Sequence, residues 1–419
     1  MTLYNRDSLG FVHIKRIELS DIRGLKRLDL DFTSPDGLRQ KSVIIGRNGT
    51  GKTTILRSLA IALSPQSDAS ALLALSQASF IREGADVGSI RVDAVDLVDG
   101  SEFCVEVFVK GHGRSSFLDR NLSIGEPWRN FFVCGYGAGR SLTGVTSDEE
   151  YRQVDSVGSL FDYSRRLLNP EIILRRLYDY QDQRIFEPAM KGIRRILELR
   201  DDHRIEFRRG GGVQISGPGV GQIIPLDAWA DGYRLTFSWI LDLYGRAMQA
   251  GAITDNGGIR GVLLVDEIEQ HLHPSMQSEL INQLSAAMPE LQIFATTHSP
   301  LTALGAGEEN IISLQRDPAT GQVHRMNVPS LKGYTVEDAL VEDTLFGTDP
   351  YAQSTRDDLT RYRELTQKAP EELKPEEAAD LEKLIVELDP SKLPGKAKDP
   401  IDQKLDEVLQ LLKQQEGQR

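Results

Sequence analysis

The stretch Gly46-Arg47-Asn48-Gly49-Thr50-Gly51-Lys52-Thr53 fits G-x-x-x-x-G-K-[ST], the pattern of a polyphosphate-binding loop. Its glycines let the backbone wrap a phosphate chain with N–H groups turned inward, and the helix that follows presents a partial positive charge. Lys52 is placed to reach the β- and γ-phosphates. The Thr53 hydroxyl suits a Mg²⁺ ion, and Thr54 continues the same N-terminal turn. Farther along, Asp266 and Glu267 stand side by side after Val262-Leu263-Leu264-Val265. The first carboxylate suits Mg²⁺ and the second suits polarising an attacking water. His298 closes another apolar run, Leu291 to Thr297, where a neutral imidazole can donate to a terminal phosphate and sense its loss. The chemistry these residues point to is Mg-dependent hydrolysis of a polyphosphate, with Lys52, Glu267 and His298 as catalytic groups and Thr53 and Asp266 on the metal.

Such groups act only if strands and helices bring them together. Val43-Ile44-Ile45 reads as a buried strand entering the loop, and Thr54-Ile55-Leu56 opens a helical run to Leu63. Before the loop, residues 12–19 and 25–32 alternate as strands around a turn at 20–24. Arg23 in that turn is either near the nucleotide or simply exposed. Residues 89–98 and 103–109 alternate around Asp99-Gly100, a second hairpin that extends an antiparallel lobe. Residues 131–137 read as a buried strand that breaks into a glycine loop ending at Arg140. Residues 158–200 are helical in pattern, with Pro170 and Pro188 near element starts and no sustained heptad. Residues 209–221 are turn-rich. A helix is expected from about Gly232 to Met248, opened by Trp229-Ala230-Asp231-Gly232, where Asp231 or a neighbour can cap it and its N–H groups can face an anion.

In this order the motifs resemble the ABC-type ATPase head, and more narrowly the branch shared by RecF, the SMC proteins and the OLD-family ATPases. The runs Asp266 to Pro274, Thr297 to Pro300, Asp231 to Arg234, and Gly135-Tyr136-Gly137 with Arg140 closely resemble OLD-like and PtuA-like ATPases, the latter from the Septu antiphage system. The resemblance covers about residues 11–330. It implies an α/β fold: a RecA-like core plus an antiparallel β lobe, a helical insertion at about 150–205, and a charged helical C-terminal tail over 331–419. It also implies ATP sandwiched in a dimer of heads, the P-loop of one facing the signature turn of the other, Ala230, Asp231 and Gly232. That turn departs from Leu-Ser-x-Gly: Ala230 has no hydroxyl for the opposite γ-phosphate, and one charge-assisted hydrogen bond is worth about 1.5–3 kcal/mol. Slow or partner-stimulated turnover is therefore expected. The glutamine loop of that family has no assigned place in this sequence; the Gly135–Arg140 loop is the best positional candidate but carries no Gln. His271 and His273, with Glu269, invite a metal reading, whereas the resemblance places them in a loop at the dimer interface. OLD-family enzymes continue into a toprim nuclease domain, but after Ile312 no strand series with clustered carboxylates follows.

Composition sets the remaining bounds. The chain has 419 residues, 40% hydrophobic and 26% charged, an ordinary globular balance. No apolar run approaches the roughly 20 residues of a membrane span. Met1–Asp7 lacks a basic-then-apolar signal, and only Cys104 and Cys134 are present, so a reducing cytoplasm is expected. The net charge of −13 argues against a surface coated for DNA, but the charge is uneven. Residues 336–419 hold 21 acidic and 12 basic residues, whereas 164–209 hold 12 basic and 8 acidic. The basic stretch is either a solvated helical face or a grip on duplex DNA. Tail helices are expected at 355–367, 375–388 and 401–415. The last, with Ile401, Leu405, Val408 and Leu412 in a stripe, either packs on the head or docks a partner, such as a separate effector nuclease or a second copy.

Overall fold

Val43-Ile44-Ile45, Val262 to Val265 and, apart from Gln292, Leu291 to Ala295 are apolar without alternation, as strands covered on both faces must be. The structure is a computed structural model. It describes residues 10–388 apart from 35–36, 77, 112–116, 123–130, 146–151, 180–182, 201, 208–211, 218–223, 349–352 and 369–373. The chain begins with a hairpin, β1 (Val12–Ile22) and β2 (Leu25–Asp31), and a small pair, β3 (Thr33–Ser34) and β4 (Gly37–Leu38). Next come β5 (Lys41–Gly46), α1 (Lys52–Ala62), α2 (Gln66–Leu75), β6 (Val87–Asp96), β7 (Glu102–Lys110) and β8 (Phe117–Leu122). The middle of the chain holds β9 (Val133–Tyr136), β10 (Ser141–Val145), α3 (Gln153–Val157), β11 (Arg166–Leu168), α4 (Pro170–Asp179) and α5 (Gln183–Ile196). It continues through β12 (Arg204–Phe207), β13 (Val213–Ser216), β14 (Ile224–Pro225) and α6 (Asp231–Ala250). Then follow β15 (Gly261–Val265), α7 (Pro274–Ala287), β16 (Leu291–Thr296), α8 (Pro300–Ala306), β17 (Ile311–Arg316) and β18 (Val323–Met326).

The main sheet has the order β18-β17-β5-β16-β15-β9 and is parallel except for β18. An antiparallel sheet, β2-β1-β6-β7-β8, forms the second lobe. Helix α1 contacts strands of both sheets, and Ile55, Leu56, Leu59, Ala60 and Ile61 are fully buried. Its apolar residues run around most of the cylinder, and only Thr53 and Arg57 are partly exposed. Phe32 of the lobe stacks edge-on against Phe294 of β16, centroids 4.7 Å apart, and helps fuse the layers into one core. A parallel core beside an antiparallel lobe agrees with the expected α/β fold, a RecA-like core plus an antiparallel β lobe.

Several elements differ from the sequence reading. Strand β1 continues to Ile22, which pairs with Leu25, so the turn shrinks to Arg23-Gly24, with Asp21 (φ 50°) and Arg23 (φ 48°) left-handed. The stretch 158–200 is not wholly helical: β11 pairs in parallel with β10. Pro188 lies inside α5 rather than near its start. The lobe gains β8, a strand whose polar residues gave no alternation signal.

Contacts divide the chain into two units, Met1–Ser330 and Leu331–Arg419. In the second, α9 (Val336–Val341) starts at a capping box between Thr335 and Asp338. Helices α10 (Gln353–Thr366) and α11 (Pro375–Leu388) pack around Tyr362, Leu365 and Leu384. The helix expected at 401–415 lies outside the described residues. No helix among the described residues is long and apolar enough to cross a membrane.

Candidate functional site

In an open parallel sheet, ligands sit beyond the carboxyl ends of the strands. Here those ends bring together the loop after β5, Asp266 and Glu267 after β15, Thr297 and His298 after β16, and Gly137 to Arg140 after β9.

The loop itself is shaped by left-handed glycines: Gly46 (φ 151°), Gly49 (φ 83°) and Gly51 (φ 92°). A Cβ on Gly46 would lie 2.5 Å from the Leu314 carbonyl and 2.8 Å from Thr50 Oγ1, so only glycine passes there. Thr50 Oγ1 donates to the Arg47 carbonyl at 2.9 Å and braces the turn. Lys52 is buried, and its Nζ donates to the Gly46 carbonyl at 2.8 Å. Burial lowers its pKa, an effect partly opposed by Asp266, Glu267 and Glu269. Arg316, at the end of β17, donates to the carbonyls of Gly49 (2.6 Å) and Gly24 (3.3 Å), stapling the loop to the β1–β2 turn.

Residues 213 positions apart meet at the centre: Thr53 Oγ1 donates to Asp266 Oδ2 at 2.7 Å. The other oxygen, Oδ1, accepts from Thr296 Oγ1 at 2.6 Å. Thr296 Oγ1 in turn accepts the Glu267 N–H at 2.9 Å. One hydroxyl on the neighbouring strand thus orients both acids. Parallel register Val265 with Ala295 puts it there. Glu267 is left-handed (φ 48°) and half-buried. A hydroxyl and a single carboxylate at a phosphate cradle fit Mg²⁺, which is usually held by one or two carboxylates together with phosphate oxygens. The residues therefore fit Mg-ATP.

His298 is exposed at the rim, and its backbone N–H donates to Glu269 Oε1 at 2.7 Å. His273 caps α7 by accepting from Ser275 N, and His271 is exposed with φ 66°. Among the described residues no three His, Cys, Asp or Glu side chains form a metal cage. At the turn before α6, Ala230 is the N-cap and makes no side-chain cap. Asp231, read as a possible cap, is the first helical residue and instead accepts from Arg234 Nη2 at 2.7 Å. Gly232 is fixed by contact, since a Cβ there would sit 2.6 Å from the His271 carbonyl. Arg23 donates to Ser76 Oγ at 2.6 Å and lies over the Phe80 ring. Burial first, and then Arg57, push its pKa down to about 10.

Sequence reasoning missed Thr296 and Arg316. Both stand at the ends of apolar runs, but only the strand order shows what they face.

A family model described as "AAA domain" matches residues 16–206, and one described as "AAA domain, putative AbiEii toxin, Type IV TA system" matches residues 164–304. The chain is similar to Septu protein PtuA of Bacillus mycoides (strain KBAB4), 24% identical over 80% of this chain and 45% of that protein. It therefore spans under half the length of that relative. Septu protein PtuA of Bacillus thuringiensis is 25% identical over 79% of this chain and 84% of that one. Among solved structures, the SMC head domain from Thermotoga maritima aligns with TM-score 0.43 and 15% identity over 76% of this chain and 99% of that one. The chain is thus similar over about 80% of its length to a protein named Septu protein PtuA, and its parallel sheet gathers the phosphate loop and the acid pair at its strand ends.

Proposed function

We propose that this chain is a cytoplasmic switch ATPase, in which two heads close on ATP and open on its hydrolysis, controlling a separate effector such as a nuclease in antiphage defence. The observation that carries the site is the 2.7 Å contact of Thr53 with Asp266, which joins the phosphate loop to the acidic strand end. The backbone of residues 46–54 cradles the polyphosphate, and Lys52 exchanges its loop carbonyls for phosphate oxygens. Thr53 and Asp266 hold Mg²⁺, which when bound neutralises charge on the phosphates. Glu267 takes the proton of the attacking water, and His298 donates to the terminal phosphate. The Ala230–Gly232 turn of a second head completes the site. The names of the PtuA relatives support the defence reading, and the acidic tail is the surface offered to the effector.

Light scattering of Glu267→Gln with and without Mg-ATP tests this. A mass that doubles with ATP supports the sandwich, whereas ATP binding at constant mass rules it out. A RecF-like DNA-binding role is the second reading, favoured by the exposure of Arg175, Lys191 and Arg195 on α4 and α5. It requires DNA affinity that falls steeply with salt and is lost on substituting Arg175, Arg176, Arg194 and Arg195.

A further inference from the structure

The glycine loop after β9 ends in a guanidinium lodged behind the acid pair. Arg140 Nη2 donates to the Asp266 carbonyl at 2.8 Å and to the Glu267 carbonyl at 3.0 Å. Its guanidinium lies over the ring of Trp239 in α6, 5.6 Å from the centroid. We propose that Arg140 is a positioning residue for hydrolysis: it clamps the peptide units of Asp266 and Glu267 so that the Glu267 carboxylate keeps one direction. The assignment rests on reading Glu267 as the group that activates water.

The backbone geometry gives the clamp its purpose. Glu267 is left-handed, a conformation a non-glycine residue leaves unless it is held. Its N–H is held by Thr296 Oγ1, and its carbonyl is held by Arg140. With both ends tied, the side chain leaves the backbone at a fixed angle.

The path that delivers Arg140 is equally constrained. A Cβ on Gly135 would lie 2.6 Å from Leu160 Cδ1, one on Gly137 2.2 Å from the Ser159 carbonyl, and one on Gly139 2.7 Å from Tyr163 Cβ. The loop therefore lies flush against residues 159–163. That segment is tied to the P-loop helix by Arg57 Nε donating to the Leu160 carbonyl at 2.6 Å. The run Gly-Tyr-Gly-Ala-Gly-Arg thus fixes the guanidinium on the acid pair's backbone.

The test compares Arg140→Met, Arg140→Lys and Glu267→Gln in the full chain, measuring steady-state ATP turnover and the Kd of a fluorescent ATP analogue. Arg140→Met should lower kcat about 10–100-fold, the usual loss when a group supporting a catalytic ligand is removed. Its nucleotide Kd should stay within about three-fold of the parent, the pattern of an interaction used after binding. Arg140→Lys should recover part of the rate, since an ammonium can still donate to one carbonyl. Unchanged kcat in Arg140→Met overturns the proposal, as does a parallel loss of affinity, which would make Arg140 part of the binding scaffold. If Arg140→Met does not fold, Arg140→Lys decides: reduced kcat at unchanged Kd supports the clamp, and the parent's kcat overturns it. Glu267→Gln separates the two levels. If it turns over ATP like the parent, the reading of Glu267 itself fails. If it is inactive while Arg140→Met is fully active, only the assignment of Arg140 fails.

Discussion

At the scale of single residues, Ala230 carries the sharpest expectation. It is the N-cap of α6 and offers no cap, and it stands where the resemblance expects a serine. Ala230→Ser should therefore act twice. A serine N-cap adds about 1 kcal/mol of stability, read as a higher melting temperature. A hydroxyl at the opposite γ-phosphate, worth about 1.5–3 kcal/mol, should raise ATP turnover by about ten-fold or more. A higher melting temperature with unchanged turnover would mean that the hydroxyl only caps. His13 makes a second expectation. It is buried against the edge of Phe11, and neither ring nitrogen has a hydrogen-bond partner among the described residues. Burial pushes its pKa from 6.5 down to about 4. The folded state thus binds this proton less readily than the unfolded state. The stability from a neutral His13 is complete above about pH 6.5 and is lost as pH falls toward 4, by on the order of 3 kcal/mol. His13→Phe should flatten the fall of melting temperature between pH 7 and 4.5, and an unchanged slope would refute this.

At the scale of elements, Arg316 joins three of them: the end of β17, the phosphate loop and the β1–β2 turn. Arg316→Ala removes charged hydrogen bonds worth about 1.5–3 kcal/mol each. ATP affinity should fall about ten-fold by titration, and an unchanged Kd would mean that Thr50 and the packing at Gly46 hold the loop alone. This staple also marks the boundary of what the sequence made readable. The P-loop, the acid pair and His298 were legible because each motif ends an apolar run, so element and chemistry announce one another locally. Thr296 and Arg316 were not, because their partners are set by strand order, and β16 lies between β5 and β15 only in three dimensions. Arg140 was noticed for its place in the loop, but its hold on the acid pair's carbonyls needed the parallel pairing of β9 with β15. Strand β8 stayed hidden because its three polar residues, Asp119, Arg120 and Asn121, are consecutive and break any alternation. Pro188 misled because the apolar face of α5, with Ile185, Ala189, Ile193 and Ile196 buried, overrides a local breaker.

At the scale of the whole molecule, the acidic excess is concentrated in residues 336–419 while the site lies in the first unit. Deleting residues 350–419 should abolish copurification with an effector and leave ATP binding within about two-fold of the parent, because no proposed nucleotide contact lies there. A deletion that destroys ATP binding would contradict that separation. The left-handed backbone of Glu267 bears on the fold's total stability. Such a conformation costs on the order of 1–3 kcal/mol at a non-glycine residue, a sizeable share of a protein's net stability. Glu267→Gly would relieve it. The expected result is a head that melts higher and hydrolyses nothing, so mutants selected for heat tolerance alone should drift toward inactivity at this one position.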